Sequence, residues 1–278
     1  SIVLSLIISS SYSLAQEAPK PYGAVPSERQ LKWHETEQYG LIHFTPTTYE
    51  NKEWGYGDAN PAIFNPVNFD ADKIVAALKD GGLKGLVLVA KHHDGFCLWP
   101  SAYTEHDVAN SNWKNGKGDI LKELSEACKE YGIKLGFYIS PWDRNNPIYG
   151  KDDQAYNTYF NNQLKEILTQ YGPIFEVWFD GAKGENAKNM EYDFQGYWKM
   201  VRELQPKAVM FSDAGPDVRW VGNEKGNAGE TCWSTINNAG QAPGKADEHV
   251  GLGHDLRRAA VHRRRPVAAG AHVLRGGA

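Results

Sequence analysis

The sequence predicts an α/β protein whose parallel sheet curls as a (β/α)8-like barrel, incomplete at its C-terminal end. Three observations lead there. Short apolar runs alternate four times with longer amphipathic ones, and no hairpin signal separates them. Polar or titratable residues follow each apolar run: His43, His92-His93-Asp94, Tyr138 with Trp142-Asp143, Asp180 and Asp213. In a barrel those strand ends converge on one face, whereas an open doubly wound sheet gathers them only at its switch point. Finally, neither a GxGxxG turn nor a P-loop is present to support a nucleotide fold.

The elements follow in chain order. Gly40 to Phe44 is a strand candidate, followed by a loop rich in Asn, Gly and Trp. Asp72 to Lys79 has helical period, with Asp70 placed to cap it. Gly85 to Ala90 is continuously apolar and β-rich, the pattern of a strand buried on both faces. Asp119 to Tyr131 is an amphipathic helix closed by Gly132. Lys134 to Ile139 is the third strand, Asp153 to Gln170 a helix closed by Gly172, and Ile174 to Phe179 the fourth strand. Phe194 to Leu204 is a helix stopped by Pro206, and Ala208 to Ser212 is a fifth strand. A complete barrel takes about 250 residues and eight strands, so at most one more is expected between positions 215 and 249.

Composition narrows the function. A formal net charge of −4 leaves no polybasic face for nucleic acid. Nine Trp and fourteen Tyr raise the prior for carbohydrate, whose apolar C–H faces stack on aromatic rings, although core packing accounts for most of them. Cys97, Cys128 and Cys232 are too few for a disulfide framework and lack zinc spacing. Residues 1–15 read as a partial signal peptide: an apolar Ile2–Leu14 run ends in small residues, so the protein is expected to be exported, periplasmic or secreted. No other segment is apolar enough for a membrane span. Residues 16–26 read as a linker and 27–249 as the incomplete barrel. Residues 250–278 hold six Arg and no Lys, against four Arg and twenty Lys before them, and read as an aberrant, out-of-frame or disordered tail.

Asp180 is the sharpest chemical candidate. It follows an apolar strand and precedes Gly181, which leaves its carboxylate at the sheet mouth or, alternatively, capping the next helix. Trp178, two positions earlier on the same strand face, forms an apolar wall beside it. A glycosidase needs a second carboxyl group as proton donor. Glu224, in a Gly-rich and Trp-flanked loop, is one candidate, with Asp143, Asp213 and Glu230 competing. His92 and His93 are adjacent, so strand alternation turns only one of them into the site. As metal ligands they lack the usual i, i+4 spacing. As neutral imidazoles they suit sugar hydroxyls, as do His43 and Tyr138.

The segments Gly40-Leu41-Ile42-His43-Phe44, Glu53-Trp54-Gly55, Lys91-His92-His93-Asp94-Gly95-Phe96, Tyr138-Ile139-Ser140-Pro141-Trp142 and Glu176-Val177-Trp178-Phe179-Asp180-Gly181 occur in this order. Together they resemble the catalytic domain of α-L-fucosidases of glycoside hydrolase family 29, over roughly residues 27–240. The resemblance implies a retaining hydrolase on a (β/α)8-like barrel, usually followed by a C-terminal β-sandwich that has no counterpart here. It implies Asp180 as nucleophile, with His43, Trp54, His92, His93, Tyr138 and Trp178 holding the fucose ring. Residues 220–224 look like the loop of the subgroup preferring α-1,3/1,4-linked fucose, which makes Glu224 the acid/base. A fucosylated oligosaccharide or glycoconjugate is the implied partner, and no cofactor or metal is implied. Two alternatives remain open from the residues: an inactive, fucose-binding remnant, and a metal-dependent hydrolase built on His92, His93 and Asp94.

Overall fold

A computed structural model describes residues 19–20, 23–213, 215–222 and 225–227. The signal-like run, most of the linker, Glu224, Glu230, Cys232 and the Arg-rich tail lie outside the described residues. Six parallel strands pair in chain order: β1 (Tyr39–Ile42), β2 (Gly85–Lys91), β3 (Lys134–Ile139), β4 (Ile174–Phe179), β5 (Val209–Ser212) and β6 (Val218–Arg219). Helices α1 (Glu28–His34) and α2 (Pro46–Glu50) flank β1 in sequence. Helices α3 (Ala71–Asp80), α4 (Ile120–Tyr131), α5 (Asp153–Gln170) and α6 (Phe194–Leu204) form the crossovers between β1 and β5. Each crossover helix begins on an aspartate, Asp70, Asp119, Asp152 or Asp193, whose carboxylate accepts a first-turn backbone N–H. Each such cap is worth about 1 kcal/mol.

The sheet separates two cores by residue parity. Leu86, Leu88, Ala90, Leu135, Phe137 and Ile139 pack with buried helix residues such as Leu124, Phe160 and Leu164. Val87, Val89 and Tyr138 point the other way, with Tyr39, Phe175 and Trp178 packed against them. In a flat sheet β1 and β4 stand three strand spacings apart, about 14 Å. Yet the Tyr39 and Phe175 ring centroids lie 5.6 Å apart, and Tyr39 Oη donates to Glu176 Oε1 at 3.3 Å. The sheet is therefore curled about the second core, as a barrel wall is. α1 closes its N-terminal end: Trp33 Nε1 donates to Glu176 Oε2 at 2.6 Å, and Arg29 meets Asp217, just before β6, at 3.2 Å.

Two bulges break the alternation that a strand pattern implies. On β4, Leu135 faces Ile174 but Phe137 faces Val177, so β4 carries one extra residue there. Phe175 and Glu176 consequently both lie toward the interior. On β2, Val89 faces Tyr138 while Lys91 faces Ile139. Lys91 thereby turns outward under α5, fully buried, with Asp143 Oδ2 at 3.1 Å and Gln163 Oε1 at 2.8 Å.

Candidate active site

The C-terminal strand ends converge as a barrel requires. Asp180 follows β4 directly and keeps a quarter of its side chain exposed. Its Oδ2 accepts the Tyr138 hydroxyl at 2.6 Å, and its Oδ1 accepts the Ala182 N–H at 2.6 Å. The Ala182 bond closes a turn two residues on and is not the helix cap that the sequence left as an alternative: the next helical turn starts after Gly184, and α6 is capped by Asp193. The carboxylate thus makes a local turn contact and keeps part of its side chain open to solvent.

His92 and His93 both enter this site, correcting the expectation that strand alternation admits only one. Their ring centroids lie 4.2 Å apart. The bulge before Lys91 turns His92 inward, and the strand ends at Lys91, so His93 sits in a turn where alternation no longer applies. His43 follows β1 and packs edge-on against His92 at 5.3 Å, while Tyr138 stacks on His92 at 5.7 Å. Burial lowers the pKa of all three imidazoles, His92 to about 2, with its histidine neighbours adding to the shift. For His93 the Asp180 carboxylate opposes that lowering without cancelling it. Three neutral imidazoles offer paired donors and acceptors, which match hydroxyl groups better than anions.

The His93 tautomer follows from Ser140. Its hydroxyl donates to Trp142 O at 2.9 Å, so its 2.7 Å contact with His93 Nδ1 receives the imidazole N–H. His93 Nε2 is then left as an acceptor, 4.0 Å from Asp180 Oδ2. Two acceptors at that separation leave a place for a donor hydroxyl between them. Aromatic walls close the two sides. Trp178 meets Tyr138 edge-on at 5.5 Å and Trp220 at 6.3 Å. Trp54 stands 6.3 Å from His93 and from Trp142 on the opposite side.

The remaining candidates divide. Asp143 is buried against Lys91 and also accepts from the Asn145 and Asn146 backbone, which fixes the loop rather than supplying an acid. Asp94 is fully buried, and burial raises its carboxyl to about 7. Asp213 follows β5. Among the described residues no group of three or more His, Cys, Asp and Glu side chains could hold a metal ion. None of their helices is long and apolar enough to cross a membrane. Sequence reasoning passed over Ser140 and Arg144, although Ser140 lies inside the Tyr-Ile-Ser-Pro-Trp segment. A serine between two aromatic site residues was the available signal.

The family model for α-L-fucosidase matches residues 16–240. Alpha-L-fucosidase 1 of Arabidopsis thaliana is 49% identical over 259 residues, covering 91% of this chain and 51% of that protein. A glycoside hydrolase 29 family member from an unknown rumen bacterium superposes with a TM-score of 0.75 at 46% identity, over 84% of this chain and 44% of the other. The Ruminococcus gnavus GH29 fucosidase E1_10125, solved in complex with fucose, gives a TM-score of 0.70 at 41% identity, over 79% of this chain and 50% of the other. The chain spans about half the length of the curated relatives it matches. On the family match and these identities, the chain belongs to the α-L-fucosidase family, glycoside hydrolase family 29.

Proposed function

We propose that this chain hydrolyses terminal α-L-fucosyl linkages of glycans with retention of configuration, through a covalent fucosyl ester on Asp180. The observation that carries it is the Asp180 carboxylate, which accepts from Tyr138 at 2.6 Å and stands 4.0 Å from His93, with His92 and Trp178 packed around Tyr138. An Asp180 oxygen attacks the anomeric carbon as the bond to the glycosidic oxygen breaks. Glu224 gives its proton to that departing oxygen. It then takes a proton from water while the water oxygen attacks the same carbon and releases Asp180. This chemistry wants the two carboxyl groups about 5–5.5 Å apart. His43, His92, His93 and Trp54 hold the ring through its hydroxyls and apolar face, and the loop at residues 220–224 favours α-1,3/1,4 linkages. The apolar run Ile2–Leu14 supports export.

Fucose release from 4-nitrophenyl α-L-fucoside tests the nucleophile. Asp180→Ala abolishes it, and near-normal turnover in that variant refutes the assignment. For Glu224, Glu224→Ala is rescued by azide on the same activated substrate, and no rescue assigns the acid to another group.

A further inference from the structure

We propose that Tyr192 and Tyr149 are positioning residues for Asp180: hydrogen bonds through their two hydroxyls hold the loop after β4, and with it the orientation of the Asp180 carboxylate. This rests on the fucosidase reading above, in which Asp180 is the group that attacks. Neither tyrosine lies in the segments that carry the family resemblance.

Asp180 stands at the start of a long connection. β4 ends at Phe179, the α6 cap is Asp193, and the stretch between them contains one short helical turn, Glu185–Ala187. Segments with few backbone hydrogen bonds of their own open easily unless side chains hold them. The carboxylate depends on this one through a single residue: Ala182 N donates to Asp180 Oδ1 at 2.6 Å, while Tyr138 donates to Oδ2 at 2.6 Å. With both oxygens held, the plane of the carboxylate is set by where Ala182 sits.

Two hydroxyls decide that. Tyr192 Oη lies 2.8 Å from Ala182 O and 2.6 Å from Tyr149 Oη. A carbonyl oxygen only accepts, so the one Tyr192 proton goes to Ala182 O, and Tyr149 must donate to Tyr192. Tyr149 Oη in turn receives the Gly184 N–H at 3.4 Å, two residues farther along the same loop. Burial raises the pKa of both phenols, so each keeps its single proton and the order of donation holds. The Asp180 charge adds to the Tyr192 shift, which puts that hydroxyl within electrostatic reach of the carboxylate. Both rings are anchored near helix starts. Tyr192 directly precedes the α6 cap and packs edge-on against Phe194 at 5.6 Å. Tyr149 shortly precedes the α5 cap, Asp152, and packs edge-on against the fully buried Tyr156 at 5.1 Å. Tyr156 Oη donates to Pro141 O at 2.6 Å, which ties the same cluster to the loop after β3. Supporting hydrogen bonds of this kind keep a reacting group within about 0.5 Å of its productive place.

The test is the rate at which a slow fluorinated fucosyl donor labels Asp180 in the full chain, over a series of donor concentrations. Tyr192→Phe removes one oxygen and leaves the ring. It lowers the saturating labelling rate by about tenfold, as displacing a reacting atom by a fraction of an ångström does, and leaves the half-saturating concentration unchanged. Tyr149→Phe lowers the rate by less, because Tyr192 still reaches Ala182 O. Tyr171→Phe removes another buried hydroxyl, one that donates to Asp119, the α4 cap, rather than to this loop, and leaves the rate unchanged. A Tyr192→Phe chain labelled at the parent rate, slowed only through the half-saturating concentration, or slowed no more than Tyr171→Phe overturns the positioning role and leaves the fucosidase reading intact. Where Tyr192→Phe fails to melt cooperatively, the Tyr149→Phe rate decides by the same criteria. A parent chain that is not labelled and releases no fucose from 4-nitrophenyl α-L-fucoside overturns the fucosidase reading and the positioning role with it.

Discussion

Replacing Glu176 with Gln should stabilise this protein at neutral pH and leave it unaltered in acid. Glu176 is fully buried in the β4 bulge, where Trp33 Nε1 and Tyr39 Oη donate to its two oxygens. Burial raises its carboxyl from 4.5 to about 7, against the pull of those two hydrogen bonds. Below pH 4.5 folded and unfolded chains both carry the proton, so the site contributes no pH dependence. Between 4.5 and 7 the unfolded chain ionises while the folded chain does not, and stability falls as pH rises. Each pK unit is worth 1.36 kcal/mol, so the accumulated loss by pH 7 and above is about 3 kcal/mol. Gln removes the titration yet keeps the geometry: its oxygen accepts from Trp33 and its amide donates to the Tyr39 oxygen. Urea denaturation of both proteins at half-unit steps from pH 4.5 to 8 reads the difference directly, because groups common to both, Asp94 among them, cancel. The variant's advantage should open between pH 5 and 7 and then level off. A difference that stays flat with pH, or a variant less stable at pH 7.5, refutes the reasoning.

Three further outcomes follow from the same contacts. Lys91→Met strands the buried Asp143 carboxylate and costs about 3–5 kcal/mol in urea denaturation, with part of the loss recovered when Asp143→Leu is added. Tyr138→Phe removes the hydroxyl that donates to Asp180 and lowers kcat on an aryl fucoside by about tenfold or more, as a hydrogen bond to a charged group is worth about 1.5–3 kcal/mol. Gly57→Ala puts a side chain at φ +76 and against the Arg144 backbone. It lowers the melting midpoint and raises KM, by more than an alanine at Gly132, where no atom lies within reach of the new Cβ.

Most of the wall was legible because its signals are local. β3, α5, β4 and α6 begin and end where apolar period, caps and closing glycines put them. Helix α1 was missed, since its seven residues bury none of their own number and its role is to close the far end of the sheet through Trp33 and Arg29. The site was legible in its residue types and less so in its geometry. His43, Tyr138, Trp178 and Asp180 follow strand ends or strand parity directly. His92 beside His93 does not, because a bulge is one inserted residue that no hydrophobic pattern marks. The Lys91–Asp143 pair was equally hidden: a lysine after an apolar run reads as solvated, and only α5 packing over it makes it a buried ion. Arg144 and Asn145 act through carbonyls nearly ninety residues away in the chain, contacts that have no sequence signature.

The central claim is that Asp180 forms a covalent bond to fucose. A slow fluorinated fucosyl donor, incubated with the full chain and followed by peptide mass spectrometry, tests it most directly. One fucosyl-ester adduct is expected, on the peptide containing Asp180, and lost in Asp180→Ala. An adduct on another carboxylate, or turnover without any adduct and with inverted product by proton NMR, would contradict it.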